Sequence, residues 1–342
     1  MRTPGSSGKG RTGADRKIAL NGALLLLSVL VCLGIGECGV RAFYPRLANY
    51  DSEMWRYFAT LKQWLPYEQL PFAHIPNRSG VFYGVRIETN AQGFRDREYA
   101  REKPAGTKRV AVLGDSLVMG WGVALDDTIP KALEKKLNQN ARSYEVMNLG
   151  VGNYNSTMEV EFFKRNALSF DPDIAVFVFF VNDPEPVPRL TRAGYHVKRS
   201  SYLLAALFSH YVRIRSRFDA RFNWKDYYLS LYAPASPHLA ANRAAIQDLA
   251  ALCRARGIEL VIVSYPELHQ LEDYPLAVAT DHIRALAEAC GVKFVDLLPH
   301  FAHHEPRSLW VSEEDAHGNA KAAEIAAEAI YRAIAPDDAT PL

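Results

Sequence analysis

A chain of 342 residues with 49% hydrophobic and 23% charged side chains is long and apolar enough to bury a sizeable core. Its formal net charge of +2, with no basic stripe interleaved with aromatics, argues against a nucleic-acid partner. The four cysteines, at 32, 38, 253 and 290, form no C-x-x-C pair, which excludes a zinc ribbon or a thioredoxin-like redox site.

Residues 1–17 are small, polar and basic, with Arg2, Lys9, Arg11, Arg16 and Lys17 against Asp15. The stretch Ile18–Gly36 then runs without a charge, nearly long enough as a helix to match the hydrocarbon core of a bilayer. Lys and Arg on its N-terminal side predict a cytoplasmic tail over 1–17 and a transmembrane signal-anchor over 18–40. The rest of the chain is then expected outside the inner (cytoplasmic) membrane, in the periplasm or its equivalent. A cleaved signal peptide is the competing reading, although no A-x-A-like site follows.

Residues 41–108 read as a juxtamembrane region rich in aromatics and proline, without a strong helical period. Within it, Val81–Glu88 alternates as a hairpin or edge strand would. Lys103-Pro104-Ala105-Gly106 reads as the linker into a main domain over 109–342.

There, apolar runs at Val110–Leu113, Tyr144–Leu149, Ile174–Phe180, Glu259–Tyr265 and Val292–Leu297 predict five strands. Helical patterns lie between them, at Pro130–Gln139, Met158–Leu168, Leu239–Arg256 and Asp281–Cys290, and a last helix spans Ala320–Ala335. Near-continuous apolar strands alternating with helices predict an α/β fold with a parallel five-stranded sheet covered on both faces. The segment 184–237 is too long for an ordinary connection and reads as an insertion, either a lid or membrane-facing helix pair or a solvated helical excursion.

In such sheets ligands bind beyond the carboxyl ends of the strands. The first strand ends in Gly114-Asp115-Ser116, a sharp turn that places Ser116 at the start of a helix, where backbone N–H groups favour negative charge. Ser116 is therefore a candidate nucleophile, or simply a cap; Asp115 is expected to cap the helix. The second strand leads into Asn148-Leu149-Gly150-Val151-Gly152-Asn153, and the third into Asn182-Asp183, whose amide could donate to an oxyanion. After the fifth strand comes Glu314-Asp315-Ala316-His317, a histidine beside a carboxylate, as a serine nucleophile needs. His300, His303 and His304 have ligand-like spacing, but a short loop bracketed by prolines and the lack of a carboxylate partner predict no metal.

The order of these features resembles the SGNH (GDSL-type) hydrolase superfamily over roughly 108–335. Gly114-Asp115-Ser116-Leu117 matches its first block, Asn182-Asp183 its third and Asp315-Ala316-His317 its fifth. Thr89-Asn90-Ala91-Gln92-Gly93-Phe94-Arg95-Asp96 looks like a segment of membrane-anchored bacterial members found with exopolysaccharide genes. The resemblance implies a three-layer α/β/α, flavodoxin-like fold without a cofactor. It implies Ser116 as nucleophile, His317 as base, and an oxyanion hole from the N–H groups of Ser116 and Asn153 with Asn182. The acid would be Asp315, with Glu314 as the alternative. The chain departs from the pattern at Asn153 and Phe180, where the second and third blocks carry glycine.

The expected function is a periplasmic serine esterase that removes O-acyl groups, in the first place acetyl, from a glycan or exopolysaccharide. The partners would be that acylated glycan or another ester, the inner membrane, and polysaccharide assembly proteins. Two alternatives stay open: transfer of the acyl group to a sugar hydroxyl by the same triad, as in the similar anchored alginate O-acetyltransferases, and a catalytically idle glycan-binding scaffold.

Overall fold

The computed structural model describes residues 13–47, 49–139, 143–215, 224–234 and 236–335. Residues 1–12 of the basic tail and residues 216–223 and 235 of the 184–237 insertion lie outside them.

Helix α1 (Gly13–Leu47) carries the uncharged run, and its apolar side chains from Ile18 to Ile35 are exposed. Over Asp15–Tyr44 the mean hydropathy reaches 2.5, so this helix is long and apolar enough to cross a membrane. Helix α2 (Tyr50–Leu61) follows, opened by a reciprocal capping box between Asn49 and Ser52. Its buried Met54, Tyr57, Phe58 and Leu61 recur at three- and four-residue spacing, so one face packs inward. The region 41–108 is thus more ordered than its weak periodicity suggested. Two hairpins complete it, β1 (Lys62–Trp64) with β2 (Phe72–His74), and β3 (Ser79–Phe82) with β4 (Val85–Glu88). The second turns at Tyr83 and Gly84, both at positive φ, the geometry of a tight two-residue hairpin turn.

The central sheet comprises β5 (Lys108–Leu113), β6 (Tyr144–Asn148), β7 (Ile174–Phe179), β8 (Glu259–Ser264) and β9 (Lys293–Asp296), all parallel, in the order β6-β5-β7-β8-β9. Each strand lies within a residue or two of its predicted run. Between and after them come helices α3 (Ser116–Met119), α4 (Ile129–Leu137), α5 (Ser156–Phe162), α6 (Arg192–Ser200), α7 (Tyr202–Arg215), α8 (Trp224–Leu231), α9 (Pro237–Arg256) and α10 (Ala277–Cys290). The chain closes with α11 (Leu298–Phe301), a hairpin of β10 (Trp310–Ser312) and β11 (Asp315–Gly318), and α12 (Ala320–Ile334).

Successive side chains of the strands enter opposite cores, the consequence of a two-residue period. Ala111, Leu113, Phe177 and Ile262 pack under α5, α9 and α10, whereas Val110, Val112, Val176 and Val263 pack under α4 and α12. This is a three-layer α/β/α arrangement with both sheet faces buried. A third, smaller cluster joins α2 and the β3–β4 hairpin to Met119 and Trp121, three and five residues after Ser116. The N-terminal segment is therefore packed against the carboxyl end of the sheet.

Candidate active site

Strand β5 delivers Gly114, Asp115 and Ser116 to the carboxyl edge of the sheet. The Asp115 carboxylate caps α3 by accepting from the Leu117 N–H at 2.9 Å, and it accepts from Asn182 Nδ2 at 3.1 Å. Ser116 opens α3 and is 6% exposed. Its hydroxyl lies 2.9 Å from His317 Nε2, across 201 residues of chain. His317 Nδ1 lies 2.6 Å from Asp315 Oδ1, and the His317 backbone N–H donates to the same oxygen at 3.0 Å. An ionised carboxylate only accepts, so Nδ1 carries the proton and Nε2 is left to accept from the serine hydroxyl. Glu314 is exposed and turned away, lining a surface pocket with Glu313 and Tyr83.

The short β10–β11 hairpin explains this pairing. Asp315 and His317 stand two apart on β11, hence on one face of the strand. The second Asp315 oxygen accepts from the indole of Trp121 at 2.9 Å. Tyr50, from α2, lays its ring 5.5 Å from that of His317 at a tilt of 33°. Burial alone would raise the Asp315 carboxyl, but the donors from His317 and Trp121 outweigh it and hold the group below its ordinary range. For His317, burial disfavours the imidazolium, yet the hydrogen bond and charge of Asp315 raise its pKa above 6.5.

The loop after β6 closes the other side. Gly150 approaches α3 so closely that a Cβ there would sit 2.0 Å from the Met119 nitrogen, so only glycine fits. Within this loop the N–H groups of Gly150, Val151, Gly152 and Tyr154 donate to Asn148 Oδ1, Gly114 O, Tyr57 Oη and Val151 O. Among the described residues nothing accepts from the N–H of Asn153 or of Ser116. Asn153 takes φ +63°, which asparagine tolerates better than most residues. Asn182 spends one amide hydrogen on Asp115 and keeps the other; its Oδ1 is buried without a partner.

A family model described as GDSL-like lipase/acylhydrolase matches residues 112–325, more than half of the chain. The chain belongs to the GDSL-like lipase/acylhydrolase family. It is a hydrolase of the GDSL type, and the matched span contains the Gly114-Asp115-Ser116-Leu117 turn and the Asp315/His317 pair. Among solved structures, an acetylxylan esterase from Geobacillus stearothermophilus is similar at 14% identity, covering 67% of this chain and 95% of its own, with a TM-score of 0.45. An α/β hydrolase enzyme from the metagenome of Lake Arreo, Spain, is similar at 15% identity, covering 66% and 94%, with a TM-score of 0.46. No curated protein sequence matches the chain.

Two residues of the Thr89–Asp96 segment also reach the site region of this GDSL-type hydrolase. Arg95, within the Thr89–Asp96 segment, is fully buried and donates to the carbonyls of Met119 at 2.9 Å, Val123 at 2.7 Å and Gly120, tying down the exit of α3. Its neighbour Asp96 accepts from the Asn148 N–H at 2.8 Å and pairs with Lys131 at 2.8 Å, fixing the end of β6. This segment therefore grips both chain ends that form the site. A cleft of about 870 Å³ opens beside Asn153, lined by Tyr50, Trp55 and Phe58 together with Glu185, Arg189 and Lys198. Much of its far wall comes from α6 and α7 of the insertion.

Proposed function

We propose that this GDSL hydrolase is a serine esterase that removes O-acyl groups, in the first place acetyl, from a glycan, working outside the cytoplasmic membrane to which α1 anchors it. The observation that carries the reading is the unbroken chain from Ser116 Oγ through His317 to Asp315, at 2.9 and 2.6 Å. Ser116 attacks the ester carbonyl while His317 Nε2 takes its proton. The oxyanion forms against the Ser116 and Asn153 N–H groups and Asn182 Nδ2, donors fixed before the charge appears. His317 then returns the proton to the leaving sugar oxygen. Water, deprotonated by the same histidine, releases the acid and restores the serine.

The cleft supports a glycan on the alcohol side. Flat aromatic faces at Tyr50 and Trp55 suit the C–H faces of sugar rings, and the polar rim suits hydroxyls. The uncharged stretch of α1 and the basic residues before it support the anchored, outward-facing orientation. The test is turnover of p-nitrophenyl acetate by the detergent-solubilised full chain beside Ser116→Ala and His317→Ala. Turnover should fall at least about a hundredfold in both variants. Wild-type turnover no higher than that of Ser116→Ala would sink the reading. Acetylated oligosaccharide formed at the expense of free acetate would replace hydrolysis by transfer.

A further inference from the structure

Lys62 opens β1, immediately after α2, and its side chain is completely buried. Among the described residues no carboxylate lies in ion-pair contact with it; burial, with Lys198 nearby, pushes its pKa well down, and Asp115 only partly offsets this from a distance. A buried amine costs free energy unless its hydrogens are taken up, so such a lysine needs compensating contacts. Its amine lies 4.7 Å from the Tyr57 ring centroid and 4.4 Å from that of Phe72. A third ring, Phe58, lies at 5.6 Å. The two hydrogen bonds of the amine both go to one place: Nζ donates to the Gly152 carbonyl and, at 3.0 Å, to Asn153 Oδ1.

The same two residues are held from the other side. The Gly152 N–H donates to Tyr57 Oη at 3.1 Å, and Tyr57 Oη donates to His74 Nε2 at 2.5 Å. His74 Nδ1–H in turn donates to the Gly93 carbonyl at 3.0 Å. That direction requires a neutral imidazole, and burial together with the nearby Lys62 pushes the His74 pKa down to about 3. Gly152 is thus held at both its N–H and its carbonyl, one on each of its two flanking peptide groups, by the N-terminal segment. Lys62, Tyr57 and His74 all lie outside residues 112–325.

Asn153 stands where the family pattern has glycine, and left-handed backbone costs a side-chain-bearing residue about 1 kcal/mol. The Gly152 carbonyl and the Asn153 N–H belong to one trans peptide, so holding the carbonyl and Asn153 Oδ1 on Lys62 turns the residue-153 N–H away from Lys62, and among the described residues nothing else accepts from it. We infer that Lys62 is a positioning residue for the oxyanion loop, clamping Gly152 and Asn153 so that a non-glycine residue keeps the donor geometry. This rests on the reading of the Asn153 N–H as an oxyanion donor. Lys62 touches no reacting atom; it acts through Asn153.

The test is a double-substitution cycle on the full chain in detergent, with kcat and KM for p-nitrophenyl acetate and circular dichroism as the folding control. In the natural background Lys62→Met should lower kcat about tenfold or more, part of what losing a whole oxyanion donor costs, with KM changed less than about threefold. In the Asn153→Gly background, where residue 153 enters the left-handed region freely, Lys62→Met should lower kcat less than about threefold. Equal losses in both backgrounds, or a raised KM with unchanged kcat, would overturn the inference and leave Lys62 as core packing. If Lys62→Met fails to fold, the natural-background arm passes to Lys62→Gln, which keeps one donor and should retain most of kcat; loss equal to a Ser116→Ala blank would count against the clamp. Turnover unaffected by Ser116→Ala would instead remove the serine-esterase reading on which the clamp stands.

Discussion

The indole N–H of Trp121 and the carboxylate of Asp315 meet at 2.9 Å, although 194 residues separate them in the chain. Trp121 is 1% exposed and takes the oxygen that does not face His317. The carboxylate therefore cannot rotate to offer His317 a different oxygen without losing a charge-assisted hydrogen bond. Asp315 is thus oriented from the turn after α3, the helix that Ser116 opens, since Trp121 lies two residues past its end.

Trp121→Phe tests that orientation. The ring volume and its packing against Tyr50, Tyr57 and Phe82 are largely kept, while the donor is lost. A hydrogen bond to a charged group contributes about 1.5–3 kcal/mol. The expected outcome is a drop in kcat of about tenfold with little change in KM, and a lower unfolding midpoint in a thermal melt. Unchanged kcat would mean that His317 alone holds Asp315.

Asp315 and Glu314 can be told apart by truncation. Asp315→Ala removes the partner of His317 Nδ1, and kcat should fall by about two orders of magnitude or more. Glu314→Ala removes an exposed carboxylate with no hydrogen bond to His317 and should stay within about twofold of the parent. Steady-state kinetics of the two variants side by side gives the answer, and the reverse ranking would refute the Asp315–His317 pairing.

The pH profile has a definite sign. In the proposed mechanism His317 must be neutral to act as base, and the carboxylate of Asp315 raises its pKa above 6.5. The acid limb of kcat/KM should therefore have its midpoint above 6.5, with activity lost as pH falls through it. In Asp315→Asn the charge is gone, so the residual activity should titrate at lower pH than in the parent. Linkage runs the other way for stability: a raised histidine pKa contributes stability that is complete below 6.5 and lost as pH rises through the folded value. Asp315, held low, contributes stability above 3.8 that is lost as pH falls through its folded pKa. A limb at or below 6.5 in the parent would show that Asp315 does not govern the imidazole.

How far the sequence alone leads depends on how local each signal is. The five strands are legible because each is a short, uninterrupted apolar run, and Ser116 because its turn is written in three adjacent residues. Asp315 and His317 are legible as a pair two residues apart. Helix α2 is harder to see, since Asp51, Ser52, Glu53 and Arg56 are interleaved with its apolar residues; the spacing of Met54, Tyr57, Phe58 and Leu61 is the signal it offers. Trp121, Lys62 and Arg95 are invisible in their roles because their partners are 194, 91 and 24 residues away. Nothing in a one-dimensional pattern distinguishes a buried lysine that holds a loop from a solvated one. That Asn153, at φ +63°, has its side chain held by Lys62 is likewise visible only in three dimensions.

Arg95 supplies the last expectation. Its guanidinium is sealed in the core with the carbonyls of Met119, Gly120 and Val123, at the point where the chain leaves the helix that bears Ser116. Burial lowers its pKa to about 10, which still leaves it charged at neutral pH. Arg95→Met would keep much of the volume but strand three buried acceptors, at a cost of about 1–3 kcal/mol for each one left without water. Because α3 is only one turn long, a shift at its exit moves Ser116 relative to His317, and kcat should fall along with stability. Arg97, two residues on, pairs with Glu134 at 2.7 Å while its own side chain is 47% exposed. Arg97→Ala should therefore cost no more than about 1 kcal/mol and leave kcat near the parent value. Denaturant melts and p-nitrophenyl acetate kinetics on both variants separate the cases. Similar losses at the two arginines would show that α3 does not depend on Arg95.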